Sequence, residues 1–185
     1  MKKLIAIVGM SGSGKSVATT YLENKGYKKI YFGGVIYDKM KEAGIKITPD
    51  SQKEFRESLR KEHGMGVVAK ILLPKIKKMH NSFDTVLDGL YSWDEYLILK
   101  KEFTNLKLIC VCADKNIRYE RVNNRKDRPF NKEDIIKRDV AEIENSAKGG
   151  PIAFADYYIL NNNSLDDFYN RLDEILKEIE QEGEK

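Results

Sequence analysis

The stretch Gly9-Met10-Ser11-Gly12-Ser13-Gly14-Lys15-Ser16 reads G-x-x-x-x-G-K-S, the pattern of a phosphate-binding loop. The apolar run Leu4-Ile5-Ala6-Ile7-Val8 precedes it, and Val17, Ala18, Tyr21 and Leu22 follow at helical spacing. Strand, loop, helix is the context this motif requires. Glycines let successive backbone N–H groups curl around phosphate oxygens. The helix that opens at Lys15 aims its free N–H groups and its dipole at the same anion. Gly9, Ser11, Gly12, Ser13, Gly14, Lys15, Ser16 and Val17 are therefore the candidate nucleotide contacts. Lys15 would reach the β- and γ-phosphates, and the Ser16 hydroxyl would ligate Mg²⁺.

Outward from this loop, the 185 residues suffice for one domain with a substantial core. Charged residues make up 34% and hydrophobic ones 41%. No run of about 18 apolar residues occurs, so no membrane span or membrane partner is expected. The basic Lys2-Lys3 before a short apolar run reads as the start of a buried strand rather than a leader. The net charge of +4 is mild: it suits small anionic substrates and does not call for nucleic acid. The two cysteines, Cys110 and Cys112, share one strand face, as small core residues in a reducing cytoplasm would.

Periodicity predicts strands over 3–8, 29–32, 84–89, 106–113 and 156–160. Helices are predicted over 15–24, 35–43, 48–63, 66–80, 92–103, 114–125 and 131–146, with a last one capped by Ser164. Pro74 should kink or split its helix, and Gly149-Gly150-Pro151 should break the chain. Strands alternating with helices imply an α/β fold: a five-stranded parallel sheet between two helical layers, in one domain over 1–185. Two helical insertions are expected, at 33–80 and 125–150. Ligands of such sheets bind at the carboxyl ends of the strands.

Asp88 ends the third strand, where a carboxylate can hold Mg²⁺ or take a proton from an acceptor hydroxyl. Its plain alternative is to cap the turn at Gly89. Arg118, Arg121 and Arg125 fall on one face of a helix at i, i+3 and i+7, with Arg128 and Arg138 beyond it. Guanidinium groups closing over a nucleotide can stabilise the charge shared by the transferring oxygens, although the same arginines suit a solvated basic face.

Together these residues resemble the nucleotide-kinase branch of P-loop proteins, which includes adenylate kinase and dephospho-CoA kinase. Within it, the chain looks like the small adenylate-kinase-related, dephospho-CoA-kinase-like group. The pieces that match are Gly9–Ser16, Ile47-Thr48-Pro49, Leu59-Arg60, Ala69-Lys70, Pro74-Lys75, Val86–Gly89, the arginine helix, and Ala155-Asp156 through Asn161-Asn162. The resemblance implies ATP and Mg²⁺ as donor and metal. It places 33–80 as an acceptor-binding insertion and 125–150 as a lid. Arg121 and Asn161 would border the adenine; Arg125, Arg128 and Arg138 would lie near the phosphates beside Lys15 and Asp88. Gly89 would adjoin the acceptor. Two departures concern the acceptor: Tyr37 and Tyr91 stand where this branch carries phosphate-binding arginines. Tyrosine offers stacking or one hydrogen bond in place of a bidentate fork. Arg56, Arg60 and Lys70 would supply the remaining cations.

The expected function is an ATP- and Mg²⁺-dependent kinase for a small-molecule acceptor that is nucleotide-, nucleoside- or dephospho-CoA-like, acting as a monomer or homodimer. The competing expectation is a nucleotide-binding switch with no acceptor. The absence of an Asn-Lys-x-Asp tetrapeptide disfavours a GTPase, and no aromatic-basic platform points to nucleic acid.

Overall fold

In a computed structural model, residues 2–125 and 130–183 are described. Arg128 lies outside them. The strands are β1 (Leu4–Val8), β2 (Lys28–Tyr31), β3 (Thr85–Asp88), β4 (Leu106–Cys112) and β5 (Tyr157–Leu160). They form one five-stranded sheet in the order β2-β3-β1-β4-β5, and every pairing is parallel. The register aligns Ile7 with Asp88 and Val8 with Cys110, so β1, β2 and β3 end within one residue of one another while β4 and β5 run two residues further.

All of β1 is buried, and its residues alternate between two cores. Leu4, Ala6 and Val8 pack with Leu87, Leu108 and Cys110 under α2 (Phe32–Glu42), α4 (Val67–His80) and α5 (Trp93–Glu102). Ile5 and Ile7 pack with Val86, Ile109 and Val111 under α1 (Lys15–Asn24) and α9 (Leu165–Glu182). These are the two helical layers that strand-helix alternation predicts. α9 supplies Phe168, Leu172, Ile175, Leu176 and Ile179, the i, i+4, i+7 stripe visible in the sequence. Ser164 caps it by accepting from the Asp167 amide. Among the described residues no helix is long and apolar enough to cross a membrane.

The remaining helices build the loop-rich end: α3 (Pro49–His63), α6 (Lys115–Asn123), α7 (Lys132–Glu144) and α8 (Gly149–Ala153). Thr48 and Ser51 close a reciprocal capping box at the start of α3. Ser92 and Glu95 do the same for α5.

Three local expectations are corrected. α2 begins at Phe32, not Val35, because Gly33 and Gly34 enter its first turn. A Cβ at Gly33 would stand 2.3 Å from the Tyr31 hydroxyl, so the close pass of that tyrosine explains the glycine. Pro74 does not split α4, which runs unbroken through it. Lys70, whose carbonyl the proline leaves without a helical donor, is exposed to solvent. Gly149-Gly150-Pro151 forms α8 rather than a break; proline is tolerated in a first turn, where its missing N–H has no helical acceptor.

Candidate functional site

The phosphate loop is held open by its neighbours. Gly9, Gly12 and Gly14 have φ of 138°, 81° and 111°. A Cβ at Gly14 would sit 2.3 Å from Asn161 Nδ2, and one at Gly12 would sit 2.5 Å from the Arg118 carbonyl oxygen. Asn161 donates from Nδ2 to the Ser13 carbonyl at 2.8 Å, and its own N–H donates to Cys112 at 2.7 Å. The end of β5 thus ties down the loop. Asp156, at the start of the same segment, accepts from the Leu108 amide at 2.7 Å and locks β5 onto β4. The Ala-Asp…Asn pattern therefore has a structural explanation at both ends.

Arg118 makes the second tie. Its guanidinium donates to the Ser11 carbonyl at 2.9 Å and to both carboxylate oxygens of Asp139 at 3.2 and 2.8 Å. Both side chains are buried, so Arg118 is a strut between the phosphate loop, α6 and α7 rather than part of a solvated basic face. Arg121, one turn on, borders a cavity of about 270 Å³ with Gly14, Val17, Asn161, Asn163 and Leu165. Its Nη1 is buried and finds no hydrogen-bond acceptor among the described residues. The same holds for the hydroxyl of Ser13, inside the loop.

Lys15 donates from Nζ to the Met10 carbonyl at 2.9 Å, across the loop it belongs to. Burial and then the ammonium of Lys148 pull its pKa down to about 7, against the opposing pull of Glu142 and Asp88. Asp88 is half-buried at the end of β3, with the Thr19 hydroxyl beside it. Burial raises its carboxyl above the usual range, although Lys29, Lys15 and Thr19 oppose the shift. A raised carboxyl lies nearer the working range of a general base.

Tyr37, Arg56, Arg60, Gly89 and Tyr91 meet around a second cavity of about 150 Å³, with Arg138, Glu95 and the aromatic wall of Tyr31 and Phe32. Arg60 is 8% exposed, and its Nε has no hydrogen-bond acceptor among the described residues. Its Nη2 stands 3.8 Å from Glu95, whose other oxygen accepts from the amides of Tyr91 and Ser92 at 2.8 and 3.0 Å. Lys70 is exposed on α4 and is not part of this lining, a correction to its expected place: helical phase turns it outward, away from the face that Val67, Val68 and Leu72 bury.

Arg138 pairs with Glu142 at 3.3 Å, and Arg125 is close enough to feel the charge of both. Lys148, which no sequence pattern marks, shares Glu142 at 2.7 Å. Nothing in Lys148-Gly149-Gly150-Pro151 suggests that this lysine turns inward; only the packing of α7 and α8 reveals it.

The donor set fits Mg²⁺ in one specific way. Among the described residues no cluster of three or more His, Cys, Asp or Glu could hold a metal by itself. The exposed Ser16 hydroxyl and the single carboxylate of Asp88 suit a cation that takes its remaining ligands from phosphates and water. The glycine cradle, the buried Ser13 hydroxyl and Lys15 suit the phosphates themselves.

Residues 5–145 match the AAA domain family. A UPF0200 protein of Sulfurisphaera tokodaii is 36% identical over 181 residues, which span 96% of this chain and 97% of that one. Among solved structures, TT1252 from Thermus thermophilus aligns with a TM-score of 0.64 at 21% identity, over 96% of this chain and 97% of its own. Shikimate kinase from Acinetobacter baumannii, in complex with shikimate, aligns with a TM-score of 0.61 at 16% identity, over 100% and 97%. These likenesses show a kinase-like P-loop fold.

Proposed function

Because the chain belongs to the UPF0200 family, on a kinase-like P-loop fold, we propose that it is an ATP- and Mg²⁺-dependent kinase for a small-molecule acceptor. One observation carries this reading. Two separate cavities border the phosphate loop and the end of β3, one at Gly14 and the other at Gly89. Lys15 and Asp88 are the residues next to those glycines. A donor side and an acceptor side, with a cation and a carboxylate at their borders, is the arrangement that phosphoryl transfer needs. The second cavity also weighs against a nucleotide switch, which needs no acceptor pocket.

In this reading Gly9, Ser11, Gly12, Ser13, Gly14, Lys15, Ser16 and Val17 hold the triphosphate, while Arg121 and Asn161 border the nucleoside. Ser16 and Asp88 hold Mg²⁺, which when bound offsets charge on the phosphate oxygens. Asp88 accepts the proton of the acceptor hydroxyl. Arg125 and Arg138 supply positive charge to the phosphates, a role the resemblance extends to Arg128. Tyr37, Arg56, Arg60, Gly89 and Tyr91 receive the acceptor. With tyrosines in two positions where the resembling kinases carry arginine, an ordinary nucleoside monophosphate is a poorer fit than a nucleoside-like, dephospho-CoA-like or other small hydroxyl compound. Arg56 and Arg60 suit one anionic group on that acceptor.

The test is ATP consumption by the wild-type chain with pooled metabolites, followed by Asp88→Asn on whichever acceptor responds. Asp88→Asn should bind ATP within about threefold of wild type yet lose about 10²-fold or more in transfer. Acceptor-independent ATP consumption across the whole screen would count against the kinase reading.

A further inference from the structure

Tyr91 stands where the resemblance leads one to expect an acceptor-side arginine, yet the structure brings a cation to that place by another route. Lys148 Nζ lies 4.6 Å from the centre of the Tyr91 ring. The lysine is 1% exposed and pairs with Glu142 at 2.7 Å. Tyr91 and Arg138 line the acceptor cavity, and Lys148 is the charged group that acts most strongly on Lys15. The Lys148 ammonium therefore lies against Tyr91 of the acceptor cavity, within electrostatic reach of Lys15 in the phosphate loop.

The backbone is arranged to put it there. Ala147 has φ of 48°, alone among the described non-glycine residues in being at positive φ. That conformation is unfavourable for alanine, and it reverses the chain after α7 so that Lys148 faces inward. The Lys148 amide donates back to the Glu142 carbonyl at 3.3 Å and closes the turn. Burial lowers the Lys148 ammonium from its usual range, and Glu142 opposes that. Burial alone would raise the Glu142 carboxyl, but Lys148 and Arg138 bring it below its usual range. A buried ammonium with one carboxylate and one aromatic face for company can exchange that carboxylate for a phosphate.

We propose that Lys148 is a catalytic cation of the transfer site, whose ammonium leaves Glu142 for the γ-phosphoryl group of a bound nucleoside triphosphate, with the Tyr91 ring as its positioning surface. This rests on the kinase reading above. In the transfer, the bond from the γ-phosphorus to the bridging oxygen breaks and the nucleoside diphosphate leaves with the electron pair. A bond from the γ-phosphorus to the acceptor's hydroxyl oxygen forms, and the hydroxyl proton passes to Asp88. Lys148 keeps its proton throughout and stabilises charge on the equatorial oxygens.

The experiment is calorimetric binding of ADP and of the imido analogue of ATP, with Mg²⁺, to four forms of the full chain. These are wild type, Lys148→Arg, Glu142→Gln, and the double variant Lys148→Met/Glu142→Gln, which leaves no unpaired buried carboxylate. The double variant should lose about tenfold or more of the preference for triphosphate over diphosphate, with ADP affinity held within about twofold. Lys148→Arg should keep most of that preference. Glu142→Gln, which removes the competing anion, should bind the triphosphate analogue about threefold or more tighter. A merely structural ion pair predicts the reverse for Glu142→Gln. An unchanged preference in the double variant, or equal weakening of both ligands, overturns the role of Lys148 alone. Failure of the wild-type chain to bind either nucleotide overturns the donor reading and this one with it.

Discussion

Replacing Asp139 by alanine tests whether the phosphate loop is braced through Arg118. The carboxylate takes two hydrogen bonds from the guanidinium, at 3.2 and 2.8 Å, and each side chain is 10% exposed. Removing one partner of such a buried pair costs about 3–5 kcal/mol, because the other charge stays buried. Arg118 keeps the Ser11 carbonyl at 2.9 Å, which places the loss near the lower end, about 3 kcal/mol. For a chain of this size that corresponds to a fall in Tm of roughly 6–12 °C. Urea denaturation of Asp139→Ala, Arg118→Met and the combined Arg118→Met/Asp139→Ala variant completes a cycle. The combined variant removes both charges and should recover about 2 kcal/mol relative to the sum of the single losses. The function of the strut separates the two singles: Arg118→Met frees the Ser11 carbonyl and should weaken nucleotide binding more than Asp139→Ala does. Single losses under about 1 kcal/mol, or a coupling under about 0.5 kcal/mol, would refute the bracing argument.

Two further outcomes follow from the phosphate loop itself. Gly14→Ala places a Cβ at φ of 111° and 2.3 Å from Asn161 Nδ2, so it should cost about 2–4 kcal/mol in urea denaturation. Adding Asn161→Ala should return part of that cost, and strict additivity would contradict the steric cause. The second outcome concerns protons. Lys15 has its pKa pulled down to about 7 in the free protein, and a bound phosphate favours its ammonium form. Nucleotide binding should therefore take up as much as one proton between about pH 7 and the ordinary lysine range, and none below it. Affinity then falls with rising pH through that window, by up to about tenfold per pH unit. Calorimetry at about pH 8 in buffers of different ionisation enthalpy counts the proton; the same uptake in Lys15→Met would assign it elsewhere.

The sequence alone determined the parallel α/β architecture, the phosphate loop and the acid at the end of β3. Each rests on local pattern: alternation of strand and helix periods, fixed glycine spacing, and an apolar run ending in aspartate. It also named Gly14, Val17, Arg121 and Asn161 at one cavity and, through the resemblance to known kinases, Tyr37, Arg56, Arg60, Gly89 and Tyr91 at the other, but not Tyr31, Phe32, Gln52 or Glu95, which no local pattern marks. Only the tertiary structure decided what the charged side chains face. Arg118, Arg121 and Arg125 look equivalent on a helical wheel, yet the first is consumed by Asp139 and Ser11 while the second borders the cavity at Gly14. Lys70 sits in an apolar run of sequence and is exposed, whereas Lys148 follows Ser146-Ala147 before two glycines and is 1% exposed. A charge's partner is set by long-range packing, here between α7, α8 and the loop after β3, and no local period records it. Tyr91 illustrates the difference: in the sequence it reads as a lost cation, and in the fold it is the surface on which Lys148 rests.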